Sequence, residues 1–187
     1  MIRALVVIVA ALIAAGEAAA ASFTLGAADR RAAMQVGERS TASEDFDREW
    51  RVSGAGGEAT VLTPFHRLAV AARHAAFKNE SLTPSEVERV IKKDAGRLIV
   101  WVSLRGHSES FARHYAPRLV QGTREIRPAF VQNERTALPQ DDGVYLARCV
   151  YGFPVRDLNG RDTVALIVAD VEGRDVSRFT IDLSRMR

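Results

Sequence analysis

The chain is 187 residues long, 47% hydrophobic and 26% charged, with a formal net charge of +3. That composition is ordinary for a globular domain, and so small a positive charge does not mark a nucleic-acid partner. Its single cysteine, Cys149, excludes an internal disulfide.

The first segment, "MIRALVVIVAALIAAGEAAAAS", reads as an export signal. Arg3 supplies a short positive region, and an apolar run at 4–15 follows. Either Ala18-Ala19-Ala20 or Ala19-Ala20-Ala21 then matches a small-x-small cleavage site. The apolar run is about a dozen residues, whereas a membrane span needs roughly 20. Residues 1–21 are therefore expected to be a cleaved signal peptide. No cysteine near the site offers a point for lipid attachment, so the mature protein is expected to be periplasmic or secreted, soluble and not lipid-anchored. About 165 residues remain, enough for one domain with one core.

Residues 22–45 are expected to be a poorly ordered or short-helix lead-in, because "AADRRAAMQV" suits a short helix and "GERSTASED" a polar linker. The domain itself is assigned to 46–187. In "REWRVSGAGGEATVLT", glycines between two β-compatible runs predict a hairpin. The same glycines lack the Lys-Ser/Thr that a phosphate loop requires.

Two helices follow. "TPFHRLAVAARHAAFKNE" begins with Thr63 as N-cap and Pro64 at the first helical position. Phe65, Leu68, Ala69, Ala72 and Ala76 share one thin face. In "LTPSEVERVIKKD", Thr83 and Glu86 have capping-box spacing, and Val87, Val90 and Ile91 form the apolar stripe. Together they predict a helical hairpin over 64–94. Its outward cations, Arg67, His74 and Lys78 on one helix and Arg89, Lys92 and Lys93 on the other, are candidate contacts for an anionic polymer or an envelope protein. Interleaved Glu80, Glu86, Glu88 and Asp94 equally describe a solvated face.

From residue 97 the pattern becomes strand-like. "RLIVWVSLRG" is apolar on both faces, as in a central strand. "PRLVQGTREIRPAFVQNE", "GVYLARCVYGFP", "TVALIVAD" and "SRFTIDLS" add further strands, the last two joined as a hairpin. The fold expected is mainly β with α: an antiparallel β-sandwich of about eight strands with the helical hairpin inserted between the second strand and the Trp101 strand.

On the strand after Gly143, odd positions Tyr145, Ala147, Cys149, Tyr151 and Phe153 share a face. That face is expected to be the core side, with Cys149 as a buried structural thiol; an intermolecular disulfide is the alternative. Asp141-Asp142-Gly143-Val144-Tyr145 resembles the Asp-x-Gly-x-Tyr entry of immunoglobulin-like sandwich domains. The resemblance implies a tyrosine-corner role for Tyr145 and a core role for Trp101. It departs from that pattern at Cys149, which follows Tyr145 by four residues and has no partner, and it implies no activity.

No cofactor or metal site is read from the sequence. His66, His74, His107 and His114 form no zinc-binding motif, and no serine sits in a nucleophile elbow. The loop "QNERTALPQDDG" holds Glu134, Arg135, Asp141 and Asp142, of which Glu134 and Arg135 are candidate binding residues. Two functional expectations result. One is a non-catalytic binding or interaction module of the cell envelope, in contact through the hairpin or the Glu134 loop. The alternative is a hydrolase of envelope polymers with Glu134 and Asp141 as an acid–base pair.

Overall fold

The structure, a computed structural model, describes residues 21–187. The expected signal peptide lies outside the described residues except for its last position. The architecture mixes helices α1 (Ala27–Arg39), α2 (Pro64–Phe77) and α3 (Pro84–Lys93) with two antiparallel sheets. The first sheet runs β1 (Arg51–Gly54), β2 (Gly57–Leu62), β3 (Arg97–Gly106), β8 (Tyr145–Pro154) and β6 (Phe130–Gln132), with β7 (Leu138–Pro139) also on β8. The second runs β10 (Asp175–Asp182), β9 (Thr163–Ala169), β4 (Ala116–Gln121) and β5 (Arg124–Ile126). Among the described residues these make ten strands where about eight are expected from the sequence; the pieces β5 to β7 have three, three and two residues, too short to show an alternation.

The sheets are sandwich-like, joined through one continuous core. Leu98, Val100, Val102 and Leu104 of β3 share it with Ala147, Cys149, Tyr151 and Phe153 of β8. Leu119, Leu166, Phe179 and Ile181 supply it from the second sheet. The odd face of β8 is thus the inner one, and Cys149 is a buried free thiol, 1% exposed.

Local chemistry explains the helices. Thr63 caps α2 by accepting from the His66 amide at 3.1 Å. The far end of α2 closes in a Schellman turn: Asn79 has φ 58°, and the Asn79 and Glu80 amides donate to the Ala76 and Ala75 carbonyls. In α3, the Thr83 amide donates to Glu86 Oε2 at 2.8 Å and the Thr83 hydroxyl accepts from the Glu86 amide at 3.4 Å. The α2–α3 hairpin is inserted between β2 and β3, which are neighbours in the first sheet, so both of its ends are tied to the same end of that sheet.

The main packing partner of α2 is α1, within the segment read as a lead-in. Ala33 and Gly37 of α1 are buried where α2 turns its alanines toward them. A Cβ placed on Gly37 lies 2.1 Å from the Ala69 carbonyl oxygen and 2.8 Å from the Ala72 Cβ. The backbones therefore meet at a distance only glycine permits.

The core tryptophan is Trp50 rather than Trp101. Trp101, expected in the core, is 55% exposed. Strand side chains alternate, so with Val100 and Val102 inward, Trp101 must point outward. Trp50 is the buried one, 0% exposed, and its indole nitrogen donates to the Arg187 carbonyl at 3.1 Å. The tyrosine-corner assignment is also corrected. Among the described residues the Tyr145 hydroxyl has no hydrogen-bond partner, whereas the Tyr151 hydroxyl donates to Asn133 Oδ1 at 3.1 Å.

Gly37→Leu is expected to lower the unfolding free energy by roughly 1–3 kcal/mol through overpacking. Urea denaturation followed by far-UV circular dichroism checks this; an unchanged midpoint would show that α1 and α2 do not meet here.

Candidate functional site

The outer face of the first sheet is ordered in cross-strand rows by its register. Arg51, Thr60, Trp101, Val150 and Gln132 lie side by side across β1, β2, β3, β8 and β6. The next row is Leu62, Ile99, Gly152 and Phe130. Gly152 lacks a side chain there because the Phe130 ring occupies its place, 2.2 Å from where a Cβ would sit. On the other side of the Trp101 row lie Glu58, Ser103 and Arg148.

The helical hairpin stands over this face and leaves a cleft of about 860 Å³, within the roughly 300–1,000 Å³ range of small-molecule sites. One wall is the sheet face around Ile99, Trp101 and Val150, and the other is Val70, His74, Val90 and Lys93 of α2 and α3. The cleft is closed where both helices join the sheet. There Arg67, at the start of α2, donates to Asp94 Oδ2 at 2.8 Å, just past the end of α3. Arg97 approaches the other Asp94 oxygen at 3.6 Å.

A second polar group braces the same end. The Nε2–H of His66 donates to Asp47 Oδ1 at 3.0 Å, and Arg51 lies 3.5 Å from the other Asp47 oxygen. The imidazole stacks on Trp50 with ring centroids 4.3 Å apart. His66 is 4% exposed, and its Nδ1 finds no hydrogen-bond partner. Burial lowers the His66 pKa from its ordinary 6.5, against the opposing pull of Asp47. The ring is therefore neutral near pH 7, with its proton on Nε2.

The candidates read from the sequence separate into three groups. Arg67, His74 and Lys93 line the cleft. Arg67 is not a free outward cation, because its side chain is 10% exposed and paired with Asp94. Lys78 caps the end of α2 and Arg89 lies on the open face of α3; both are exposed, and neither lines the cleft. Glu134 and Arg135 lie in the loop between β6 and β7 on the far edge of β8. Asp142 is engaged by Arg105. Neither cavity described in the structure is lined by Glu134, Asp141 or Asp142. Burial pushes the Cys149 thiol up from its ordinary value, which keeps it protonated and a poor nucleophile.

Asp47, Arg51, Thr60, Phe130, Gln132 and Val150 are cleft residues that the sequence pattern alone did not single out. The one available signal was the outward alternation of Thr60 and Leu62 on β2 and of Ile99 and Trp101 on β3.

No protein-family model matches this chain, and no characterised protein is significantly similar to it.

The buried His66 makes stability depend on pH. Its folded pKa is below the unfolded value of 6.5, so the unfolded chain binds the proton more readily. Its contribution is complete above pH 6.5 and declines as pH falls from there toward the folded pKa. The melting temperature of the wild type is expected to fall between pH 7.5 and pH 5 more steeply than that of His66→Gln. Parallel slopes would remove His66 as the source.

Proposed function

We propose that this protein is an exported, non-catalytic binding module of the cell envelope, taking its ligand in the cleft between the α2–α3 hairpin and the outer face of the first sheet. Of the two contact regions considered from the sequence, this favours the hairpin over the Glu134 loop. The scaffold is read as a β-sandwich, with the hairpin as an insertion that adds a wall. The observation that carries the proposal is Trp101. It is 55% exposed, yet it lies in a recess beside Ile99, which is 4% exposed. A large aromatic held half open against an apolar floor is what a binding site offers and a solvated face does not.

Export rests on the signal-like first segment, and the position of Ala21 adds support for one of the two cleavage sites. The Ala21 amide donates to the Leu183 and Gly160 carbonyls at 2.8 and 3.1 Å. Cleavage before Ala21 leaves both contacts available to the new amino terminus; cleavage after it removes them. Intact mass of protein recovered outside the cytoplasm is expected to place the first residue at Ala21. Recovery of the full 187-residue chain in the cytoplasm alone would refute export.

The binding site is tested by amide and indole NMR shifts during titration with a mixed panel of apolar acids, apolar alcohols and oligosaccharides. Shifts are expected at the Trp101 indole, Thr60, Val70 and Val150. Trp101→Ala is expected to weaken the responsible ligand at least about tenfold, or ~1.4 kcal/mol, while changing stability by no more than about 0.5 kcal/mol, as at an exposed site. Shifts confined to residues 133–142, or no saturable shift with any member, would refute the cleft as the site.

A further inference from the structure

Resting on that cleft reading, we infer the chemical class of the ligand: a monoanionic amphiphile, with an apolar body laid against Trp101 and one carboxylate at the Lys93 end.

The body follows from the walls. Val70 and Val90 face Ile99, Trp101 and Val150 across the cleft. These side chains carry no acceptor and, apart from the indole N–H, no donor. A sugar ring pressed between them would lose water from its hydroxyl groups and find replacement hydrogen bonds only at the flanking Thr60, His74 and Gln132. An acyl chain or apolar ring loses nothing polar and gains the burial.

The sign of the head group follows from which charges are already engaged. Asp47 holds His66 and Arg51, which leaves that cluster neutral overall when the imidazole is neutral. At the closed end, Asp94 lies between Arg67 and Arg97, and Lys93 adjoins it without a carboxylate partner among the described residues. Three cations and one anion leave an excess of two positive charges there. The other unpaired charge lining the cleft is the carboxylate of Glu58. It is four residues along β2 from Leu62, about 13 Å at strand spacing. The closed end is therefore positive, whereas at the open end Glu58 shares its row with the cation Arg148 and the two signs offset. An anionic head is attracted to the closed end.

The test uses calorimetric titration of the mature protein with sodium decanoate and with decanol, which have the same chain and differ in charge. Decanoate is expected to saturate at one per protein and to bind at least about tenfold more tightly than decanol. Lys93→Glu is expected to weaken decanoate at least about tenfold, to leave decanol unchanged and to lower the melting temperature only slightly, as a charge reversal in the last turn of α3 does. Glu58→Gln is expected to strengthen decanoate modestly. Absence of saturable decanoate binding, equal affinity for the two probes, or an unaltered decanoate affinity in Lys93→Glu would each overturn the assignment. Trp101→Ala separates this failure from failure of the cleft itself. If both probes bind equally and both are lost in Trp101→Ala, the cleft stands and the anion preference falls. If neither responds to Trp101→Ala, the cleft reading falls as well.

Discussion

Burial of Trp50 is the contact on which the arrangement of helices and sheet depends. Its ring is surrounded by Phe46, Phe65 and His66 at centroid distances of 5.9, 6.4 and 4.3 Å. Its indole nitrogen is satisfied by the Arg187 carbonyl, which also accepts from the Thr63 hydroxyl. One side chain thus gathers the turn before β1, the first turn of α2 and residue 187. A tryptophan buries about 150–250 Å², and at about 25 cal/mol per Å² that is worth roughly 4–6 kcal/mol before conformational entropy is subtracted. Because the contact falls at the N-terminus of α2, it fixes the joint between β2 and the helical hairpin. Among the described residues the opposite end of the hairpin has no comparable anchor in the sheet, so the cleft is defined at its joint and open at its mouth.

The same joint accounts for most of the charge in the cleft. His66, Asp47 and Arg51 form one group, and Arg67, Asp94 and Arg97 another. Ion pairs as screened as these contribute little as isolated contacts when exposed. Here Arg67 is 10% exposed, and Asp94 is the group that offsets its desolvation. Removing either partner leaves a buried charge alone, which costs far more than the pair itself is worth. The paired charges near the joint therefore serve the fold, and the walls beyond it mix the aliphatic Val70, Val90 and Val150 with the polar Thr60, His74 and Gln132.

Much of the fold was legible because local rules act within a few residues. Thr63-Pro64 and Thr83 with Glu86 mark their helix starts as written, and the odd positions of β8 face the core. What escaped depended on contacts distant in sequence. The immunoglobulin-like resemblance implied a core role for Trp101, but its strand is apolar on both faces and only the position of the helices decides which face is filled. Trp50 looked like one end of a strand, and nothing nearby announces that residue 187 completes its hydrogen bond. Arg67 and His74 fall on the cleft side of α2, yet spacing alone could not show that Arg67 is already held by Asp94, 27 residues away. The row Arg51, Thr60, Trp101, Val150 and Gln132 draws on five strands, and such a row exists only once register is set.

A cleft persists in this protein because α2 is committed elsewhere. Close-packed interiors leave few voids, so an opening of this size needs a reason that the helices do not settle onto the sheet. The reason lies on the other side of α2. Gly37 admits the Ala69 carbonyl and the Ala72 methyl at distances no larger residue allows, drawing α2 tightly against α1. Toward the sheet α2 presents the short Val70, the polar His74 and the tethered Arg67, and none of these reaches far enough to fill the space above Trp101. Arg30 of α1 adds an ion pair to Glu88 of α3, linking the third helix to the same group. Three helices bound to one another, and joined to the sheet at the Trp50 end, form a wall that stands off the sheet face. The exposure of Trp101 is thus a consequence of the glycine and alanine contact between α1 and α2, two elements that do not line the floor on which it lies.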